Sequence, residues 1–234
     1  MFKNIFNAEM AAEAWDVIIS QFPLAFWETL YVTLLASFFA FLLGLPLGVL
    51  LAVGGKKGIL PLPAWLMKLL NGVVNLLRSV PFLILMIMVI PLTRLLIGTS
   101  VGTFASIVPL VIAAFPFVAR LAESSFREVD PNTLEMAQSM GASPLQIIVK
   151  VLIPESIPSL ISNGTIAVTT ILGYSAMSGI IGGGGLGKIA INYGYYRYRY
   201  LVMLCAVILL ILLVQLFQSL GTRLAARADK RLKR

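Results

Sequence analysis

Asp130-Pro131-Asn132-Thr133-Leu134-Glu135-Met136-Ala137-Gln138-Ser139-Met140-Gly141-Ala142-Ser143-Pro144-Leu145-Gln146 lies in the one long polar passage between two apolar runs of this 234-residue chain. It reads as two short helices in series. Asp130 offers an N-cap with Pro131 at the first helical position, and Gly141 can take the left-handed conformation that ends a helix. Ser143 and Gln146 stand at capping-box spacing with Pro144 between them, so a second helix is expected to run to about Ile153, where Pro154 limits it. Leu134, Met136, Ala137 and Met140 supply the apolar contacts of the first helix, while Glu135 and Gln138 face elsewhere. Ile147, Ile148, Val151 and Leu152 form the stripe of the second. Spacing alone leaves two readings open: a loop lying against its own bundle, or a docking element for another protein.

The rest of the chain belongs in a bilayer. Hydrophobic residues make up 59%, charged residues 12%, and the mean hydropathy is +0.95, beyond the range of soluble globular domains. Charge-free runs cover Thr29–Gly55, Ser79–Thr93, Leu95–Val118, Ser156–Gly187 and Tyr200–Thr222. A helical span needs roughly 20 apolar residues, so five spans are expected. The second is short, but Arg78 and Arg94 can snorkel at its edges, and it is placed over Ser79–Ile97. The first 27 residues carry Lys3, Glu9, Glu13 and Asp16 without a short apolar core and cleavage site, so they are not expected to be a removed leader.

Lysines and arginines orient the bundle. Five fall on the side that holds the N-terminus, and thirteen on the other, including the tail Arg223–Arg234. The positive-inside rule puts the N-terminus outside and the C-terminus in the cytoplasm. This bias also accounts for the net charge of +8, so no nucleic-acid partner is expected. Cys205 is the single cysteine and there is no histidine, which removes intrachain disulfides, His-ligated metals and His-based triads. No catalytic constellation and no metal site is expected.

Gly182-Gly183-Gly184-Gly185-Leu186-Gly187-Lys188 imitates two nucleotide fingerprints. It lacks the preceding strand, and Ile189 stands where a P-loop needs Ser or Thr. A turn that lets backbones approach closely is the reading adopted. Five tyrosines and two arginines follow within Ile191–Tyr200, either as interfacial anchors or as a surface for an external protein. The fourth span is the most polar. Asn163, Thr170, Tyr174 and Ser175 are candidates to line a pathway, or else serve helix packing, and Met177 is a candidate flexible gate. Gly44-Leu45-Pro46-Leu47-Gly48 offers a small-residue face for a helix contact within or between subunits, and Pro61–Leu77 reads as an interfacial helix.

Glu135-Met136-Ala137, three residues, Gly141, nine residues, then Val151-Leu152-Ile153-Pro154 resembles the EAA loop of the permease subunits of bacterial ABC importers. Met136, Val151 and Ile153 depart from the usual residues but stay apolar. Gly173-Tyr174-Ser175-Ala176-Met177, the glycine run, Asn192-Tyr193-Gly194-Tyr195, Trp27-Glu28-Thr29-Leu30, Gly44–Gly48 and Arg78-Ser79-Val80-Pro81-Phe82 are similar to the methionine importer subfamily. The resemblance implies an all-α, polytopic membrane bundle of the type I importer permease fold. It divides the chain into an extracytoplasmic segment 1–26, a permease domain 27–222 with its coupling loop at about 120–155, and a basic cytoplasmic tail 223–234. The implied complex is a homodimer in the bacterial inner membrane with two cytoplasmic ATPase subunits and an extracytoplasmic methionine-binding lipoprotein. Glu135, Met136, Ala137, Gly141, Ala142, Val151, Ile153 and Pro154 would meet the ATPase. ATP and magnesium would sit on that partner, with no cofactor on this chain. A self-contained channel or secondary transporter is the alternative, which the lack of intramembrane carboxylates disfavours.

Overall fold

The computed structural model describes residues 8–56 and 58–229, with side chains from Ala14 onward. Lys3, Lys57 and the end of the basic tail, 230–234, lie outside the described residues. Among the described residues the chain is helical, with no strand. The helices are α1 (Ala8–Val53), α2 (Ala64–Ser79), α3 (Phe82–Met88), α4 (Ile90–Ile97), α5 (Ile107–Arg127), α6 (Pro131–Ser139), α7 (Pro144–Ile147), α8 (Ile153–Met177), α9 (Gly185–Ile189) and α10 (Tyr200–Ala228).

Four stretches are long and apolar enough to cross a membrane: Ala14–Val53, Ile107–Arg127, Pro144–Ile181 and Tyr200–Ala228. A fifth is present if α2 and α3, bent by 106° at their junction, count as one broken span. The break falls at Val80-Pro81, where proline supplies no N–H and holds the residue before it extended. The span expected over Ser79–Ile97 is therefore no single helix but α3 and α4, divided at Val89.

The other expected boundaries shift for identifiable reasons. Residues 8–26, within the segment expected outside the membrane, are helical and continuous with α1, which at 46 residues is more than twice the length a bilayer needs. The third span starts at Ile107 and not Leu95, because Gly98 and Gly102 adopt φ of +84° and +116° and break the chain between α4 and α5. It also runs past Arg120 to Arg127, since its charges neutralise one another. Glu123, 8% exposed, receives Arg120 Nη1 at 2.5 Å and Arg127 Nη2 at 2.9 Å.

The chain packs into two compact units, each assembled from separate stretches of sequence. The first takes the chain up to Ser37, with Pro81–Val111 and Val168–Leu216; the second takes Phe38–Val80, Ile112–Ala167 and the chain from Phe217. The second unit's core joins Val53, Ala122, Phe126, Val129, Ile148 and Leu152, with Leu134 and Leu160 packed against it. Its α1–α5 crossing depends on the absence of side chains. A Cβ on Gly44 would lie 2.9 Å from the Phe115 carbonyl oxygen, and one on Gly48 would lie 2.8 Å from that of Ala119. The small-residue face of α1 is thus a contact within one subunit. Gly221 on α10 admits Thr165 of α8 in the same way.

Gly48→Leu would force these backbones apart, at a cost of about 1–3 kcal/mol. The expected result in lipid nanodiscs is a lowered thermal unfolding midpoint. Gly72→Ala, whose added carbon meets nothing within 4 Å, should leave the midpoint unchanged or raise it, because alanine is the better helix former.

Candidate functional site

The polar loop between α5 and α8 folds as its capping residues dictate. The Asp130 carboxylate accepts the Asn132 N–H at 2.9 Å and opens α6. At the other end Ala142 N–H donates to Ala137 O at 3.2 Å and Gly141 N–H to Gln138 O at 2.9 Å, a Schellman closure with Gly141 at φ +80°. The Gly141 Cβ position meets nothing within 4 Å in this chain, so within the chain it is the turn that requires glycine. The Ser143–Gln146 capping box forms, with Ser143 N–H on Gln146 Oε1 at 2.9 Å and Gln146 N–H on Ser143 Oγ at 3.4 Å.

Pro154 does not end the second helix. Between α7 and α8 the chain makes a π turn, Ile148–Leu152, and Ile153 N–H reaches back five residues to Ile148 O. The wider turn carries the helix past a residue that has no N–H to donate, so α7 runs on into α8. Ile147, Ile148 and Leu152 are buried and Val151 half-buried, which ties this stretch to the unit core. Met136, Met140 and Leu145 face outward at 61%, 82% and 71% exposure, and Glu135 is exposed beside them. Only part of the loop lies against its own bundle; the other face is an unpartnered apolar surface of flexible thioethers and a leucine, suited to a cleft in another protein.

The candidate pathway residues separate into two groups. Asn163 Nδ2 donates to Ser125 Oγ at 2.8 Å and Leu121 O at 3.3 Å, and Ser159 Oγ donates to Ser125 Oγ at 3.1 Å, so these groups fasten α8 to α5. Asn163 also lines a 540 Å³ cavity with Ser156, Ser159, Ser162, Glu128 and Asp229. In the first unit the Tyr174 ring stacks on Phe82 with centroids 4.2 Å apart. Ser175, buried, donates to Leu172 O at 2.8 Å, Thr170 is half-buried and Met177 is exposed.

Glu28, which the sequence offers only as part of Trp27-Glu28-Thr29-Leu30, joins three elements of the first unit. Its Oε1 accepts from Thr103 Oγ1 at 2.8 Å and its Oε2 from the Gly185 N–H at 2.7 Å, while the next N–H, of Leu186, donates to Thr29 Oγ1 at 2.9 Å. The backbone donors that a phosphate would need are engaged by α1 itself. The glycines serve close approach, as expected: a Cβ on Gly179 would lie 2.7 Å from the Lys188 backbone, and one on Gly187 would strike Ala176. Glu28 and Glu123 both lie within helices long and apolar enough to span a membrane, so the expected lack of intramembrane carboxylates does not hold. A signal for Glu28 was available, since an isolated carboxylate within a long apolar helix needs partners. The tyrosine segment past α9 places the Arg197 guanidinium 4.8 Å from the Tyr193 ring centre, with Tyr195, Tyr196 and Tyr198 exposed.

Residues 44–231 match the family described as "Binding-protein-dependent transport system inner membrane component". The chain belongs to that family. Among its relatives within this group, a "Probable D-methionine transport system permease protein MetI" of Vibrio cholerae is 52% identical over 93% of this chain and 96% of its own length. The "D-methionine transport system permease protein MetI" of Escherichia coli K12 is 46% identical over 65% and 70%. A solved structure of "Inward facing conformations of the MetNI methionine ABC transporter" superposes with a TM-score of 0.88 at 42% identity, covering 91% of this chain and 98% of that one. An "amino acid ABC transporter with histidines" shares the fold at 20% identity with a TM-score of 0.74. The architecture is therefore that of a type I importer permease, an inner-membrane component built of helices.

Glu28→Ala should free the Gly185 amide. Hydrogen bonds to charged groups contribute about 1.5–3 kcal/mol, so exchange there should quicken by about 10- to 100-fold. Hydrogen exchange across Gly183–Leu186, with α6 as the unaffected reference, checks this.

Proposed function

We propose that this chain is the membrane-spanning subunit of an ATP-driven importer for methionine, passing D- and L-methionine by alternating access without hydrolysing ATP itself. The exposed apolar face of α6 and α7, on the spacing Glu135-Met136-Ala137, Gly141, Pro154, carries the reading. The MetI relatives and the MetNI structure supply the substrate. The working unit is a homodimer in the bacterial inner membrane, with α6 of each subunit seated in a cytoplasmic ATPase that holds ATP and magnesium. A lipid-anchored methionine-binding protein delivers substrate from outside. The N-terminus lies outside and the C-terminus in the cytoplasm, following the lysine and arginine asymmetry.

Alternating access needs an element that the ATPase can move and that moves the spans. Helix α6 is locked at both ends, by the Asp130 cap and the Gly141 closure, and a rigid helix transmits displacement where a loop would absorb it. Asn163, Thr170, Tyr174, Ser175 and Met177 line the route. It offers hydroxyls, an amide and a thioether with no fixed charge from these five side chains, in keeping with a solute of no net charge.

Gly141→Val tests the coupling. A β-branched residue at φ +80° costs about 1–2 kcal/mol or more and should unseat the Schellman closure. In proteoliposomes with the ATPase and loaded binding protein, methionine uptake per ATP hydrolysed should fall about tenfold, the factor that corresponds to 1.4 kcal/mol. Uptake at the native ratio would refute the docking role of the loop. Methionine flux through the chain without any ATPase would refute the importer reading.

A further inference from the structure

Within the first unit, a cavity of about 220 Å³ opens between α1 and the α9 segment. Its volume is below the 300–1,000 Å³ of sites for drug-sized ligands, so its occupant is small. Glu28 stands on one wall. Its two oxygens are fixed by the Thr103 hydroxyl and the Gly185 N–H, and each keeps a further lone pair. Gly184 makes this possible, because any side chain there would strike both Glu28 and Thr103. Lys188, one turn on from Gly185, supplies a positive charge to the same cavity.

The two charges do not neutralise each other. No ion pair joins Glu28 to Lys188 among the described residues, and the Lys188 side chain is exposed. The lining also carries apolar surface at Leu24, Ala25 and Ile189, with neutral polar groups from Ser20 and Asn192. At the rim Gln21 Nε2 donates to the Tyr193 hydroxyl at 2.6 Å, bracing α1 against the segment beyond α9.

This set of groups selects by charge. A simple anion meets Glu28, and a simple cation meets Lys188, so each gains one favourable contact and one repulsion. A molecule carrying both an ammonium and a carboxylate satisfies both walls, and the apolar surface takes a nonpolar side chain. We propose that this cavity is a binding site for a free, zwitterionic α-amino acid with an apolar side chain, ammonium toward Glu28 and carboxylate toward Lys188. The site rests on the proposed importer function and deepens it: substrate is held on this subunit itself, apart from the binding protein and apart from the α8 candidates Thr170, Tyr174, Ser175 and Met177. Its fixed carboxylate is preorganised, so little ordering is left for the ligand to impose.

The experiment is equilibrium binding of labelled L-methionine to the importer complex in lipid nanodiscs with no binding protein present. Methionine methyl ester, which lacks the carboxylate charge, and 4-(methylthio)butyrate, which lacks the ammonium, serve as competitors. Saturable methionine binding is expected, with each competitor weaker by about tenfold or more, the scale of one charge-assisted contact. Lys188→Gln should weaken methionine by a similar factor and leave the methyl ester unchanged. Because the Lys188 side chain is solvent-exposed, this variant does not depend on refolding the site, whereas Glu28→Gln turns an amide toward one of two donors. Absence of saturable binding, equal competition by all three compounds, or native affinity in Lys188→Gln would each overturn the site. Uptake by the native importer with its binding protein separates the two readings. Methionine uptake alongside any of those results removes the site and leaves the function, while no uptake removes the function.

Discussion

A buried carboxylate must be paired, and Glu123 meets that requirement inside a membrane-spanning helix. Two arginines from the same helix converge on it, and each then reaches outward. Arg120 Nη2 donates to Asn71 Oδ1 at 2.8 Å and Asn75 Oδ1 at 2.9 Å, both on α2, and Arg127 Nη2 donates to the Leu51 carbonyl at 3.3 Å, near the end of α1. One charge cluster thereby fixes three helices of the second unit. Because α5 leads within three residues to the Asp130 cap, α6 follows directly on a helix that this cluster holds. Loss of one member of a buried pair costs about 3–5 kcal/mol, so the cluster tolerates little substitution even though Arg127 itself is largely exposed.

The first unit handles a half-buried carboxylate differently. Among the described residues no arginine pairs with Glu28; the glycine run gives it a backbone donor at Gly185 instead. Glycine is needed for space at Gly184 and for backbone conformation at Gly185, where φ is +86°. The motif that looks like a phosphate cradle is thus an anion cradle of the ordinary kind, occupied by a side chain of the same protein.

How much of this was legible follows from which forces are local. Capping, turn and periodicity signals are local, and they located α6, the Ser143 capping box and the Gly141 turn to the residue. Span boundaries drawn from charge-free runs fail where charges are paired: α5 runs on through Arg120, Glu123 and Arg127 because their partners sit three and four residues away on the same helix. Partners distant in sequence left no trace. Nothing near Glu28 announces Gly185, which lies 157 residues away, and nothing near Arg120 announces Asn71. Pro154 was read by the rule for α-helices, and the π turn before it escapes that rule by changing the hydrogen-bond offset.

That π turn bears on how the docking proposed for α6 and α7 could act at a distance. Had Pro154 ended the helix, a hinge would separate Ser143–Ile153 from the span beyond, and displacement of the loop would be lost in it. The chain instead runs helically from Pro144 to Met177, and Ile148 and Leu152 anchor the turn in the unit core. Asn163 and Ser159 pin the same helix to Ser125 on α5, so the arms on either side of the docking loop are bonded to each other by hydroxyl and amide contacts. Within the second unit, the docking proposed for Met136 and Leu145 would thus act on two arms that are bonded to each other. The polar residues of α8 serve that stiffness at the 125–163 level whatever they also offer a solute, which is why polarity along this helix could not by itself separate a pathway from a packing seam.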